Sequence, residues 1–281
     1  MIVHLIDGTY ELFRHFYGLR RFHKTDPPLG AVAGVLATTA KMIEDGATHI
    51  GVATDHVIES FRNQLWPGYK TGAGIEPALR AQFHPLEDAL VSMGVVVWPM
   101  VEFEADDALA AAAHLAARDK KVQKVCIWTP DKDLAQCVVD DRVVQIDRRK
   151  NEMRDAAAIR AKFGVAPEFI PDYLALVGDS ADGYPGLPGF GAKTAARLIN
   201  QHGPIEDFPA SLLSDTNREL ALLFKNLATL RTDARLDSPT NGKTTTVAKL
   251  RWRGTTEAFS TVAQKIGSPR LAERLRLASR S

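Results

Sequence analysis

Acidic residues recur at the ends of apolar, strand-like runs in the first half of the chain. Asp7 ends the run that begins at Ile2, and Asp55 ends the next run. Carboxylates also lie just beyond two later runs, at Glu104, Asp106 and Asp107 and then at Asp131 and Asp133. The carboxyl ends of parallel strands meet in one crevice of an open α/β sheet, so we expect these side chains to converge. Any one of them is also typical of a helix's first turn, but the repetition argues against that explanation.

This gathering of carboxylates predicts bound cations. Like charges in one cleft repel each other and would partly protonate unless cations lay among them. Oxygen ligands without a coordinating His or Cys arrangement suit Mg²⁺ or Mn²⁺ better than Zn²⁺. The eight His residues show no HExxH spacing, and both cysteines, Cys126 and Cys137, lie among apolar neighbours. The chemistry that fits is metal-assisted hydrolysis of a phosphodiester bond by two ions.

A second acidic pair, Asp179 and Asp182, directly precedes a glycine-rich run over residues 183–191. A spacing of three residues places both carboxylates on one side of a turn or helix start. The run leads into a helical pattern at 192–199, and backbone N–H groups exposed at such a start bind phosphate without reading base sequence. The same composition is typical of an ordinary helix start, so this run alone leaves both interpretations open.

The apolar periodicity predicts the elements that position these residues. Alternating strand-like and helical segments predict an α/β fold, a mostly parallel sheet with helices on both faces. After about residue 150 the pattern becomes helical, and residues 66–74, with one proline and three glycines, are expected to form a mobile excursion. Strands are predicted at 2–6, 50–54, 95–98, 125–128 and 143–146, and later helices at 155–163, 192–201 and 217–230.

Composition is that of a globular protein of 281 residues, with 45% hydrophobic and 25% charged residues. No window approaches the roughly 18 apolar residues of a membrane span, so we expect a cytoplasmic protein with no membrane partner. The formal net charge is only +1, yet nine Lys or Arg and two Glu follow residue 240. Such a basic tail is typical of a solvated helical face. It would point to a function only if the acidic part of the chain binds cations.

In order along the chain, these motifs resemble the bacterial and bacteriophage 5′ nucleases, the group of 5′-to-3′ exonucleases and flap endonucleases that includes the amino-terminal domain of DNA polymerase I. The resemblance spans nearly the whole chain. It is carried by His4-Leu5-Ile6-Asp7-Gly8 with Arg14, Asp55 with Ser60-Phe61-Arg62, Pro67-Gly68-Tyr69-Lys70, Phe103-Glu104-Ala105-Asp106-Asp107, Thr129-Pro130-Asp131-Lys132-Asp133-Leu134, Val177-Gly178-Asp179-Ser180-Ala181-Asp182 and Pro188-Gly189-Phe190-Gly191-Ala192-Lys193-Thr194-Ala195.

The resemblance implies a PIN-like α/β nuclease domain at 1–165, with an arch segment at about 59–85, and a helical DNA-binding region at 166–281. That region would hold a helix-hairpin-helix at 183–201, with K⁺ as a further ion there. Lys70 and Arg14 would act in catalysis together with Asp7 and Asp106. The implied metal ligands are Asp7, Asp55, Glu104, Asp106, Asp107, Asp131, Asp133, Asp179 and Asp182. The implied DNA-binding residues are Arg62, Tyr69, Lys70, Gly186, Gly189, Gly191, Lys193 and Thr194.

The function implied is hydrolysis of DNA that has a 5′ end, flap or nick, by a monomer. Two positions depart from the family pattern, because Ala73 stands where a second arch cation is usual and Gly183 where an Asn is usual. Three other functions make different demands on the sequence. A binding protein for branched DNA should lack some ligands, and a PIN-type ribonuclease should lack the helical region. A haloacid-dehalogenase-type phosphatase needs an aspartate two residues before Asp7, where the chain has Leu5.

Overall fold

A six-stranded sheet forms the centre of the protein in this computed structural model, which describes residues 1–19 and 27–279. The strand order is β3-β2-β1-β4-β5-β6; the first five of these pair in parallel, and β6 pairs antiparallel with β5. The predicted parallel sheet is therefore confirmed. Its strands are β1 (Ile2–Asp7), β2 (His49–Asp55), β3 (Val96–Met100), β4 (Lys124–Trp128), β5 (Val143–Asp147) and β6 (Glu152–Arg154).

Helices cover both faces of this sheet, as the alternating pattern predicts. Side chains alternate across a strand, so Ile6 packs into the core on one face and Leu5 into the core on the other. The helices are α1 (Gly8–Leu19), α2 (Gly30–Glu44), α3 (Arg62–Leu65), α4 (Pro77–Arg80), α5 (Phe83–Ser92), α6 (Ala105–Ala117), α7 (Ala156–Phe163), α8 (Ile170–Val177), α9 (Ala192–His202), α10 (Asp215–Ala228), α11 (Phe259–Lys265) and α12 (Arg270–Ala278).

A third core holds the helical part of the chain together. Leu174 of α8, Ile199 of α9 and Phe224 of α10 are buried in it. The sequence sets the helix ends here: the Asp155 side chain accepts the N–H of Ala158 at the start of α7, and Gly164 ends that helix with φ of 77°. These helices place the loop that carries Asp179 and Asp182 against the α/β part.

The C-terminal segment returns to the α/β part. Phe259 and Leu271 pack with α2 and α5, whereas Leu250 packs in the core on the opposite face. A short antiparallel pair, β7 (Asp237–Ser238) and β8 (Gly242–Lys243), precedes them. The sequence pattern does not predict β6, β7 and β8, because these strands are too short and polar to give an alternating pattern. Arg280 of the basic tail lies outside the described residues.

The structure contains no helix that is both long and apolar enough to cross a membrane within residues 1–19 and 27–279.

Candidate functional site

The acidic crevice opens between β1 and β4, where the chain's crossovers leave in opposite directions. Asp7 ends β1, and its carboxylate accepts hydrogen bonds from the Tyr10 N–H at 2.8 Å and the Thr129 hydroxyl at 2.9 Å. Burial raises the pKa of Asp7 to about 7; the Tyr10 N–H opposes this shift and the Asp55 charge adds to it. Asp7 is thus held at the crevice by one backbone N–H and one hydroxyl group, both of them uncharged donors.

We call four carboxylates the proximal acid group: Asp7, Asp55, Asp106 and Asp131. The N–H of Ala105, at the start of α6, donates to Asp55 Oδ1 at 2.8 Å and joins the end of β2 to that helix. Burial raises the pKa of Asp106 well above its ordinary value, and the charges of Asp131 and Asp7 raise it further. The four carboxylates therefore repel one another, which is the condition that bound cations relieve.

Asp133, Asp179 and Asp182, the distal acid group, lie on the other side of the crevice. One carboxylate oxygen from each lies within 4.8 Å of the others. Asp133 Oδ1 is buried and finds no hydrogen-bond partner among the described residues. Burial raises the pKa of Asp133 well above its ordinary value, and Asp182 and Asp131 add to the shift. An unpartnered buried oxygen within an all-carboxylate group fits a hard divalent cation such as Mg²⁺ or Mn²⁺.

Lys70 joins the two sides of the crevice. Its Nζ lies 2.8 Å from Glu104 Oε2 and 2.9 Å from Asp182 Oδ1. Burial acts to lower the pKa of Lys70, but the charges of Glu104 and Asp182 raise it well above its ordinary value. The ammonium group therefore stays charged at the centre of the predicted site.

Arg62 and Asp107, predicted to bind DNA and metal respectively, form a buried ion pair with each other. Arg62 is 1% exposed, and its Nη1 and Nη2 donate to Asp107 at 2.7 and 2.8 Å while Nε donates to the Leu227 carbonyl. Asp107 also accepts the backbone N–H groups of Glu104 and Arg231. In the free protein the donors of Arg62 are used by the protein interior, so its predicted DNA contact would require this pair to open and stays a prediction. Asp107 faces Arg62, and its predicted role as a metal ligand likewise stays a prediction.

Glu104 lies between the buried Arg62–Asp107 pair and Lys70, and it contacts both Arg62 and Lys70. Its Oε1 accepts from the Ser60 hydroxyl at 2.7 Å and from Arg62 at 3.2 Å, and its Oε2 faces Lys70. Burial acts to raise the pKa of Glu104, but Lys70 and Arg62 lower it below its ordinary value. Its negative charge is already balanced by cations of the chain, unlike the charges of the proximal acid group.

Residues 66–74, which we call the strap, are hydrogen-bonded to the site. The Lys70 N–H donates to the Asp182 carbonyl at 2.8 Å, and the Gly72 N–H donates to Glu59 Oε1 at 3.0 Å. Tyr69 is 3% exposed, and its hydroxyl donates to Glu104 Oε2 at 3.3 Å. The predicted mobile excursion is therefore a bonded segment. The Tyr69 ring is buried in the free protein, and its predicted DNA contact stays a prediction.

The glycine-rich turn before α9 divides into a buried and an exposed part. Gly186 is buried with φ of 70°, and a Cβ there would lie 2.5 Å from the Leu176 carbonyl oxygen, so the turn requires glycine at this position. Its predicted DNA contact stays a prediction. Gly189, Gly191 and Lys193 are exposed and Thr194 is half-buried at the start of α9. These four keep the backbone and side-chain groups that a phosphate could reach.

Arg14 lies on α1, the helix that follows Asp7, and its Nη2 is 2.5 Å from Glu11 Oε2. Glu11 is 1% exposed and also faces Arg148, whose Nε is 3.5 Å from Glu11 Oε1. Sequence reasoning missed Glu11 because a lone acid in a helix's first turn has an ordinary electrostatic explanation. It also gave no role to Lys132, whose Nζ lies 2.7 Å from Asp179 Oδ2, although its place between Asp131 and Asp133 was a usable signal.

Comparison with known proteins identifies the family to which this arrangement belongs. The model for the 5′-3′ exonuclease N-terminal resolvase-like domain matches residues 2–164, and that for the 5′-3′ exonuclease C-terminal SAM fold matches residues 165–250. The chain is 31% identical to the 5′-3′ exonuclease of Buchnera aphidicola over 255 residues, which cover 84% of this chain and 83% of that protein. The chain belongs to the 5′-3′ exonuclease family.

Two further matches fit this family. DNA polymerase I of Pseudomonas aeruginosa is 35% identical over 257 residues, which cover 83% of this chain but only 27% of the polymerase. A solved complex of the bacteriophage T5 flap endonuclease with DNA and metal ions has the same fold, with a TM-score of 0.67 at 19% identity, and all of both chains is covered. The predicted family and fold are confirmed, whereas the roles of individual site residues stay predictions.

Proposed function

We propose that this 5′-3′ exonuclease family member hydrolyses phosphodiester bonds in DNA that carries a 5′ end, a 5′ flap or a nick, with two divalent ions. The observation that carries the proposal is the placement of Lys70 Nζ within 2.9 Å of carboxylates from both sides of one acidic crevice. Two ions bound there would activate water and stabilise the leaving oxygen. Mg²⁺ and Mn²⁺ are the proposed ions because the donors are carboxylate oxygens.

In the proposed reaction, the acidic residues, Lys70 and Arg14 have different roles. The proximal and distal acid groups provide the metal ligands, with Asp7 and Asp106 nearest to the chemistry. Lys70 supplies a positive charge that Glu104 and Asp182 hold in the crevice before DNA binds, and that would face the scissile phosphate once DNA is bound. A preorganised charge stabilises the transition state more than the ground state, because it is aimed at the charge that develops during reaction. Arg14 adds a second cation beside the crevice.

Duplex DNA is proposed to bind at the start of α9. Gly189, Gly191, Lys193 and Thr194 would contact the phosphates there, and K⁺ is the ion proposed for this turn. Contacts to phosphates carry no base information, so junction shape should matter more than sequence. The protein is proposed to act as a monomer in the cytoplasm, where a bacterial cell keeps its DNA.

The test compares three labelled substrates, a 5′ flap, a nicked duplex and an RNA of matching sequence, with protein stripped of metal and then given Mg²⁺. We expect the flap to be cut only when Mg²⁺ is present. Asp106→Asn should abolish cleavage, whereas the matched change Asp119→Asn, just beyond the other end of α6, should not.

Each alternative function predicts a different result. Tight flap binding without cleavage at any Mg²⁺ concentration would favour a protein that only recognises branched DNA. Preferential cutting of the RNA would favour a PIN-type ribonuclease. Full turnover in excess chelator would end the two-metal proposal.

A further inference from the structure

The strap passes close to the loop that carries Asp179 and Asp182, and two hydrogen bonds join the two segments. The indole Nε1 of Trp66 donates to the Gly183 carbonyl at 3.1 Å. One residue back along that loop, the Asp182 carbonyl accepts the Lys70 N–H at 2.8 Å. Two consecutive carbonyls of the metal-ligand loop therefore bind two points of the strap that lie on either side of Gly68.

Both glycines at this crossing are required by space. A Cβ on Gly183 would lie 2.0 Å from the Gly68 carbonyl oxygen, and a Cβ on Gly68 would lie 2.7 Å from Trp66 Nε1. The φ of Gly183 is 87°, a conformation that Asn tolerates better than most residues. Backbone conformation alone would thus permit the Asn that is usual in the family, but the contact with Gly68 does not. In this chain, the close approach of the Gly68 carbonyl therefore leaves room only for glycine at position 183.

The Trp66 side chain is itself fixed. Its ring packs edge-on against Phe224 of α10, with centroids 5.2 Å apart. Its carbonyl accepts the N–H of Tyr69, which closes the turn that leads to Lys70. The helical core therefore determines where this turn lies, and the turn determines where the Lys70 ammonium group lies.

We propose that Trp66, Gly68 and Gly183 form a positioning contact, the strap lock, which holds Lys70 at the junction of the two sides of the crevice. The inference rests on the proposed catalytic role of Lys70. None of the three residues touches the reacting atoms, so each acts through Lys70.

The test uses single-turnover cleavage of a 5′ flap by the full chain, with flap affinity measured without Mg²⁺. Trp66→Phe keeps the ring and removes the hydrogen bond, so we expect cleavage to slow about 3- to 10-fold with affinity unchanged. Gly183→Ala should slow it more, since the strap must move. Trp252→Phe is a matched control, because its Nε1 bonds the Met93 carbonyl at 2.9 Å far from the crevice.

Gly94→Ala is the matched control for Gly183→Ala. Gly94 has φ of 80°, and a Cβ there would lie 2.0 Å from the Gly254 carbonyl oxygen, so the two substitutions impose the same type of strain. Both should lower the melting temperature, but only Gly183→Ala should lower the cleavage rate of the folded protein. Equal loss of rate in both variants would show that the effect is general destabilisation and would overturn the strap lock.

A Lys70→Ala background separates the lock from the rest of the site. If Trp66 acts through Lys70, adding Trp66→Phe to Lys70→Ala should change the rate less than about twofold. An undiminished effect would overturn the inference, as would a Trp66→Phe defect that saturating Mg²⁺ removes, because the contact would then serve the metal ligands. If Lys70→Ala alone cuts at the wild-type rate, the proposed role of Lys70 fails, whatever the strap does.

Discussion

Two clusters of buried carboxylates lie within the same site, and they are neutralised in opposite ways. Glu104 and Asp107 receive Arg62, Lys70 and backbone N–H groups, so cations of the chain balance their charges. The distal acid group has Lys132 and Lys70 at its edges, but Asp133 faces two other carboxylates. A buried acid that has its own guanidinium stabilises the fold, whereas one that faces other acids needs a cation from solution. The burial of an acid alone therefore does not identify a metal ligand.

The largest expected difference between the clusters is in catalysis. Asp133→Asn removes a buried carboxylate that faces two other acids, so we expect cleavage of a 5′ flap at saturating Mg²⁺ to fall by at least about 100-fold. The metal-free protein should keep or gain thermal stability, because repulsion is lost with the charge. Cleavage rate and melting temperature in chelator are the measurements. A strongly destabilised variant would show that Asp133 belongs with Asp107.

Asp107→Asn should have the reverse outcome. It leaves Arg62 buried without its bidentate partner, and breaking a buried pair in this way costs about 3–5 kcal/mol. Urea denaturation should report this loss both with and without Mg²⁺, since Asp107 is not expected to bind the ion. Replacing the pair together, as Arg62→Met with Asp107→Leu, should recover much of the stability. Equal instability of the double variant would mean that the other hydrogen bonds of Arg62 matter more than its charge.

These differences mark how far the sequence could predict the site. The strands were found because β-branched, apolar runs such as Val125–Trp128 are long enough to show, and their ends located Asp7, Asp55 and Asp131. Asp106 and Asp107 have the same chemistry in the sequence. Only the fold shows that Arg62, 45 residues earlier, binds one of them and not the other. The burial of Tyr69 and Gly186 was hidden for the same reason, because it depends on contacts with distant segments.

The pH dependence of stability provides a smaller effect. The folded-state pKa of Asp7 is about 7 and lies above its ordinary value of 3.8, so the folded protein binds this proton more tightly than the unfolded chain. Its contribution to stability is complete below pH 3.8 and is lost as the pH rises through about 7. In chelator we expect the melting temperature to fall between pH 5 and pH 8 by on the order of 5 °C.

Mg²⁺ should abolish that fall, because the ion binds the ionised carboxylates. Differential scanning calorimetry with and without Mg²⁺ measures both curves. Asp106→Asn should flatten the curve obtained in chelator, since Asp106 is one of the repelling charges, whereas Asp119→Asn should leave it unchanged. A flat curve for the wild-type protein in chelator would show that the proximal acid group is already neutralised, as Glu104 is.

The smallest expected effect concerns Lys193 and Arg62, which the sequence analysis predicts to be DNA-binding residues of the same kind. Lys193 is exposed at the start of α9, whereas Arg62 is 1% exposed and bound to Asp107. Each phosphate contact releases about one counterion, so Lys193→Ala should reduce the slope of log affinity against log salt by about 1 and weaken binding equally for all sequences. The double variant Arg62→Met with Asp107→Leu should keep the wild-type slope, provided that it folds. Fluorescence anisotropy with a 5′ flap at several salt concentrations measures both. A reduced slope in the double variant would mean that Arg62 leaves its ion pair to reach DNA, and the two clusters would then differ less than their contacts in the free protein indicate.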